Sequence, residues 1–419
     1  MYDLHLTAEQ LEIRDTVRDF IRNEIKPVTL HPGRLEPFEK PLLTDLLAAA
    51  SKMGLRALAL SDESGGAGAD NLTSCLVMEE LAQGDPDIAV VLANTSVLAH
   101  FIFDELMTPG QRARFLPRFM DDHGFHLAFA GRDAEAGLAP HYHRPRSEDQ
   151  TPQATAVKHS GGEWVINGEI PAVANAPIAK LFAVVVSTRG GSATLLVPSD
   201  TAGLTVQEPS ATRGGAEGGG APVIRWGHGS AGKVVFKDCR VPASDVLGGE
   251  GQSAAAARTY ATRTAPQLAA ANIGIGQAAY EAAIDYAKLR RQGGKQIIEH
   301  QAIGTLLAGI AIKLEVARNM VWKAAWALDH PDAVSDRSVS GLPLHHIARA
   351  FTSEVIVEVA ERAAECFGAM GVMRDMPLQK YVNDALMFKH SELGIGATRL
   401  LIAEAVAGYE RPNAPSAQS

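Results

Sequence analysis

AANIGIGQAAYEAAIDYAKLRRQGGKQIIEHQAIGTLLAGIAIKLEVARNMVWKAAWALD, residues 270–329, decides the fold. Small or apolar residues recur at helical spacing at Ile273, Ala278, Ala282, Ile284 and Ala287. The period resumes at Ile303, Leu306, Leu307, Ile310, Leu314 and Ala317. Between the two runs lies Gln292-Gly293-Gly294-Lys295, and its glycines are expected to stop the first helix. Two long helices joined by a basic elbow make an αα-hairpin, and their length calls for a helical bundle.

Working outward, the chain of 419 residues has room for two or three domains and a sizeable core. A net charge of -9 and a pI of about 5.9 give no basic footprint for nucleic acid. Cys75, Cys239 and Cys366 are odd in number and widely spaced, which reads as reduced thiols and a cytoplasmic protein. No apolar signal-peptide region follows Met1. The most apolar run, Ile88 to Phe103, contains Asn94, Thr95, Ser96 and His100 and is taken as too short to span a bilayer.

In chain order, Thr7 three residues before Gln10 forms a capping box, and the helix it opens is expected to end before Pro27. Leu42–Met53, Leu72–Gln83 and Ile88–Leu106 read as further helices, with a turn over Ser61–Asp70. From Phe125 short β-rich runs take over, including Trp164–Gly168, Leu181–Val186, Thr194–Val197 and Lys233–Phe236. Helical texture returns at about Gln252. The predicted fold is therefore α+β, in three parts. An N-terminal helical domain covers residues 1–124, and an antiparallel β-barrel or sandwich 125–242. A C-terminal four-helix bundle covers 243–411, and 412–419 form a disordered tail.

Several motifs are set aside. Gly227 to Lys233 fits GxxxxGK, but Val234 replaces the magnesium-holding hydroxyl and a strand pattern follows where a helix should open. Gly274-Ile-Gly276 sits inside a helix, so it serves packing and not a dinucleotide turn. Ser230 lacks the first glycine of a nucleophile elbow, because His228 stands there. His141 and His143 have no third ligand nearby, so no metal site is predicted.

The run Tyr286-Ala-x-x-Arg290-x-x-x-Gly294-Lys-x-Ile-x-Glu-x-Gln301, with Leu314-Glu-x-Ala-Arg318 after it, resembles the helix–elbow–helix of flavin-dependent acyl-CoA dehydrogenases. The resemblance extends, with gaps, over nearly the whole chain. It implies FAD as cofactor, an acyl-CoA substrate and an electron-transfer flavoprotein as partner. It also implies a homotetramer, or a heterotetramer with a paralogue. The family's run of Asp-Ala, then Glu seven residues on, then Arg seven beyond, matches Ala385, Glu392 and Arg399 without a gap. Carried over, Glu392 is the base that removes the α-proton of the thioester. Such a base is needed because the α C–H is weakly acidic, while flavin N5 collects the β-hydride from the other face. Read on its own, Glu392 would only cap a final helix from Ala397. No rival base stands at the family's other position, which is Thr264 here.

Cofactor positions carry over with departures. Arg290 and Gln301 match residues that reach the FAD of a neighbouring subunit, and an Arg offers a pyrophosphate several fixed donors. Gly368 and Gly371 match glycines that let backbone approach the dinucleotide. Gly293, Glu365 and Ala369 depart from the family's Phe, Gln and Gly. Arg132 and Ala174 stand where hydroxyl side chains bond the flavin ring. Two alternatives stay open on this pattern. One is a half-site or non-catalytic subunit, and the other a flavin oxidase or monooxygenase of the same fold.

Overall fold

A computed structural model of the chain describes residues 5–35, 40–131, 154–158, 162–208, 212–213, 221–222, 227–249, 253–334, 341–373, 375–390 and 394–408. Helix α1 (Ala8–Phe20) starts on the reciprocal Thr7–Gln10 capping box. The helical path does not stop before Pro27 as predicted. A π-helical turn (Ile21–Ile25) leads into α2 (Lys26–Thr29), where Pro27 occupies the first turn and has no N–H bond to lose. Helix α3 (Thr44–Lys52) closes at Gly54, whose φ of 88° only glycine adopts freely.

Asp70 caps α4 (Asn71–Gly84) and Asp85 caps α5 (Pro86–Ala99). Helix α5 runs on through a π-helical turn (His100–Leu106), so Pro86–Leu106 is 21 residues long. That length and apolarity match a membrane span, correcting the view that it is too short. Yet 94% of its apolar window is buried inside the fold, so it is a core helix. Helix α6 (Pro109–Asp121) was not anticipated, although Thr108-Pro-Gly-Gln111 is a second capping box with proline at the first helical position.

The middle of the chain holds β1 (His126–Ala130), β2 (Ala154–Lys158), β3 (Glu163–Ala174), β4 (Ala179–Thr188), β5 (Gly191–Pro198), β6 (Leu204–Gln207), β7 (Thr212–Arg213), β8 (Ala221–Pro222), β9 (Ala231–Pro242) and β10 (Val246–Leu247). Eight of these form one sheet in the order β10-β5-β4-β2-β3-β9-β6, with β1 also on β4. The sheet is mixed, not antiparallel throughout. β1 pairs parallel to β4 over Leu127–Ala130 against Leu181–Val184, and β2 touches β4 in parallel. The antiparallel expectation came from hairpin spacing, which is silent on pairs that lie far apart in sequence. Lys233 falls inside β9, as required by the rejection of a phosphate loop.

The C-terminal part is built on α7 (Ser253–Leu289), α8 (Gln301–Asp329), α9 (Leu344–Phe367) and α10 (Leu378–His390), with α11 (Gly394–Val406) lying against α9 and α10. Helix α7 is the shared wall, packing on α8 and α9 on one side and on α4 on the other. Gly274 makes that second contact possible, because a Cβ there would lie 2.2 Å from the Glu79 carbonyl oxygen. Arg318 of the Leu-Glu-x-Ala-Arg run ties the same layers together. It donates to Glu79 Oε1 on α4 at 2.9 and 2.7 Å and to Gln277 Oε1 on α7 at 3.2 Å.

The elbow differs from expectation in one respect. Helix α7 ends at Leu289, before the glycines, and Gly293-Gly294 instead turn a small hairpin between β11 (Arg291–Gln292) and β12 (Lys295–Gln296). Both have positive φ, 60° and 83°, the requirement of a two-residue type I′ turn.

Candidate active site

Ala174 is the half-buried last residue of β3 and lies in a distorted segment. The β3–β9 register slips between Ile170 and Val173, and Ala172 and Asn175 have φ of 52° and 62°. Non-glycine residues pay to sit there, so surrounding structure must hold them. Asn175 does the holding. Its fully buried side chain donates Nδ2 to the Val91 carbonyl (3.1 Å), Thr95 Oγ1 (3.1 Å) and the Leu127 carbonyl (3.3 Å). Thr95 in turn meets His126 Nδ1 at 3.2 Å. Burial pushes the His126 imidazole down to about 3, with the Arg56 charge adding to the effect.

The same turn is joined to α10 through the residues before β9. Asn175 N donates to the Ser230 carbonyl at 2.6 Å. Two residues earlier, His228 lies 2.9 Å by Nε2 from the Asp384 carbonyl of α10 and packs at a tilt against Phe388 with ring centroids 4.7 Å apart. Its Nδ1 faces Asp87 Oδ1 of α5 at 3.2 Å. Sheet, α5 and α10 therefore meet at His228. Asp384 also pairs with Lys380 one turn back on α10. Nothing in the sequence near His228 signals this role, since Asp87 and Asp384 lie far from it along the chain.

Arg290 and Gln301 lie elsewhere, at the far end of α7. Both are exposed on the elbow, with Leu289 81% exposed beside them. The end of α9 joins them there, since Tyr286 stacks on Phe367 at 4.1 Å. Gly368 terminates α9 with φ 56° and has open space where a Cβ would be. Gly371 packs inward, because a Cβ would meet the Ala364 carbonyl oxygen at 2.5 Å. So Arg290, Gln301, Gly368 and Gly371 are brought together and Ala174 is not. Tyr260 packs on Phe129 of β1 at 5.1 Å, and Arg290 is 30 residues further along the α7 path, about 45 Å at 1.5 Å per residue.

Glu392 and Arg132 fall outside the described residues, as do His141 and His143. Glu392 comes two residues after α10 ends and two before α11 begins, and α11 starts at Gly394, three residues earlier than predicted. Arg399 on α11 pairs with Glu354 of α9 at 2.8 Å. Thr264 Oγ1 donates to its own helix at the Tyr260 carbonyl (2.6 Å), so its hydroxyl is used within α7. Glu365 pairs with Arg362 at 2.7 Å. Among the described residues no group of three His, Cys, Asp or Glu side chains could hold a metal ion.

Residues 7–123 match the family model "Acyl-CoA dehydrogenase, N-terminal domain", and residues 249–407 match "Acyl-CoA dehydrogenase, C-terminal domain". The chain belongs to the acyl-CoA dehydrogenase family. By that membership it is an oxidoreductase. A curated acyl-CoA dehydrogenase relative, "Probable acyl-CoA dehydrogenase FadE25" of Mycobacterium tuberculosis, is 29% identical over 386 residues, covering 91% of this chain and 90% of that protein. Butyryl-CoA dehydrogenase from Megasphaera elsdenii has the same fold, with a TM-score of 0.79 at 23% identity, covering 97% of this chain and 100% of the other. A glutaryl-CoA dehydrogenase from Mycobacterium smegmatis, solved in complex with FADH2, superposes with a TM-score of 0.77 at 20% identity, covering 96% and 95%.

The described residues fit the FAD of acyl-CoA dehydrogenases at the elbow end. Gly368 leaves its backbone open to approach, and the exposed Arg290 presents a planar set of donors. At the sheet end the distorted turn of residues 172–175 offers backbone groups, whereas Ala174 offers no hydroxyl.

Proposed function

We propose that this protein is an FAD-dependent acyl-CoA dehydrogenase that introduces an α,β double bond into an acyl thioester. Its parts divide at about residues 124 and 243. Glu392 takes the α-proton on its carboxylate, while bound FAD supplies the acceptor for the β-hydride. The single observation that carries this reading is the three-way junction at His228. It joins the turn bearing Ala174, the position carried over for the flavin ring, to α10, which leads into Glu392.

The substrate-side role of the chain is to orient and to exclude water. Phe388, packed on His228, puts an apolar ring on the last turn of α10, four residues before Glu392 in the sequence. Arg290, Gln301 and Gly368 would hold FAD, with the donors belonging to a neighbouring subunit. Exposed Leu289, Ile312, Val316 and Val372 on that end provide an apolar surface for the partner. A tetramer, served by an electron-transfer flavoprotein in the cytoplasm, follows from this reading. Cys75, Cys239 and Cys366 are all buried and unpaired, which suits a reducing compartment.

The missing hydroxyl at Ala174 favours a second reading, a half-site subunit completed by a paralogue. Purified protein separates the readings. Yellow protein that bleaches anaerobically with an acyl-CoA is the expected result. Rapid reoxidation in air identifies an oxidase, and colourless protein a half-site subunit.

A further inference from the structure

At its end α5 changes register. In an α-helix a side chain faces those three and four residues further on. The π-helical turn (His100–Leu106) runs on i→i+5 bonds, which bring the fifth residue round to the same side. His100 uses both positions. Its Nδ1 lies 2.9 Å from Asp104 Oδ2, and its Nε2 lies 3.1 Å from Glu105 Oε1. One ring sits between two carboxylates.

Each carboxylate is tied to another part of the chain. Asp104 accepts from Ser61 N and Ser61 Oγ, both at 2.9 Å, and from Ser64 Oγ. Ser64 in turn accepts from Arg112 of α6. Glu105 accepts from Arg263 Nη1 of α7 at 2.7 Å. Ser61, His100 and Arg263 together line one side of a cavity of about 750 Å³. Asp62 and Glu63 stand beside the two serines, Arg258 lies further along α7, and Asp70 and Asp329 are on the remaining wall. Among the described residues Asp104 and Glu105 are the ion-pair partners of the ring.

A neutral imidazole has one N–H and one bare nitrogen, so it serves one carboxylate and turns a lone pair on the other. The protonated ring donates to both. The Glu105 hydrogen bond, joined by that of Asp104 and opposed by desolvation, raises the group above its ordinary 6.5. With a raised value the stabilisation is full below 6.5 and is lost as the pH climbs through the folded value. Arg263 then still balances Glu105, but Asp104 keeps only neutral donors.

We propose that His100 is a proton-operated latch. Protonated, it clamps the π-helical turn and holds the 61–64 turn and α7 together along one side of the cavity. Once the proton leaves, Asp104 and Glu105 repel each other and that side of the cavity loosens.

The test is hydrogen exchange read by mass spectrometry on the flavin-loaded protein at about pH 6 and about pH 9, on either side of the ordinary range of a histidine. Rates are corrected for the intrinsic pH dependence of exchange, so that they report local opening. Segments 58–66 and 98–107 of the wild type are expected to be roughly ten-fold better protected at the lower pH. That is the low end for a hydrogen bond to a charged group, because the ring is partly exposed. Strand β4 should be equally protected at both. His100→Gln should show the weaker protection at both pH values. His100→Arg keeps its charge and has donors for both carboxylates, so it should show the stronger protection at both. Equal protection of the two segments in the wild type at both pH values overturns the latch, whichever variants fold. So does a pH difference that survives in His100→Gln or that extends equally to β4.

Discussion

His228 Nδ1 lies 3.2 Å from Asp87 Oδ1, in a contact where both side chains are almost fully buried, 2% and 7% exposed. On the other edge of the ring, Nε2 meets the Asp384 carbonyl at 2.9 Å. The ring is thus held from both edges, by a side chain of α5 and by the main chain of α10. Asp87 Oδ1 also accepts from Gly229 N at 3.0 Å, which fixes the loop before β9 against α5. The contact therefore holds three parts of the chain in one register.

His228→Leu should leave the Asp87 carboxylate buried without its ring partner. Breaking a buried pair from one side costs about 3–5 kcal/mol. Urea unfolding should show that loss, with helical and sheet signals parting company as the junction loosens. A loss below about 1 kcal/mol would mean that the clamp does little.

Acid should destabilise the protein through His126. Burial, its main cause, and the nearby Arg56 charge hold this imidazole down to about 3 in the fold, against an ordinary 6.5. The unfolded chain therefore binds the extra proton first. Stability is full above about 6.5 and falls as the pH drops from there toward 3, by up to about 1.4 kcal/mol per unit. Half-buried His345, held to about 4 by desolvation, adds to the same limb. His126→Gln should flatten the melting-temperature profile between pH 6 and 4 without abolishing it. An unchanged slope would remove His126 as a cause.

Much of this arrangement was legible locally. The capping box at Thr7 and the elbow of residues 290–301 are written in short spacings, because each is decided by neighbours within a turn or two, whereas the equally local box at Thr108 was passed over. The ungapped Ala385–Glu392–Arg399 spacing was legible as resemblance. What escaped depends on distant chain. The parallel pairing of β1 with β4 joins residues more than 50 apart. The positive φ of Asn175 exists because Val91, Thr95 and Leu127 grip its amide, and no window around residue 175 contains them. His228 was missed for the same reason.

Assembly should be needed for cofactor retention. Ile312 and Val316 are 65% and 51% exposed one turn apart on α8, so Ile312→Asp together with Val316→Asp should break the apolar contact. Light scattering is expected to show smaller species, and desalting should strip their flavin. Full-size assemblies, or monomers that stay yellow, would contradict a shared site. Arg290→Ala should weaken FAD about ten-fold or more without changing the assembly, since a hydrogen bond to a charged group contributes about 1.5–3 kcal/mol.

Ala174 offers a gain-of-binding test. It stands at the end of β3, next to the gripped Asn175, at the position where the family's hydroxyl bonds the flavin ring. Ala174→Thr should improve FAD retention on desalting by up to about ten-fold, the value of one neutral hydrogen bond. Unchanged retention would mean that backbone groups of residues 172–175 alone hold the ring.

Glu392 decides the chemistry. Glu392→Gln keeps the volume and can still hydrogen-bond, but it cannot accept a proton. General-base catalysis contributes typically 10²–10⁴-fold, so anaerobic flavin reduction by a saturating acyl-CoA should slow by about that factor. Flavin content, assembly and melting temperature should hardly move. A residue that serves only the start of α11 predicts the reverse, a small loss of stability with reduction intact. Stopped-flow absorbance and a thermal melt on the same preparation separate the two. Reduction at the wild-type rate would take Glu392 out of the mechanism, and the family fold alone does not specify a reaction.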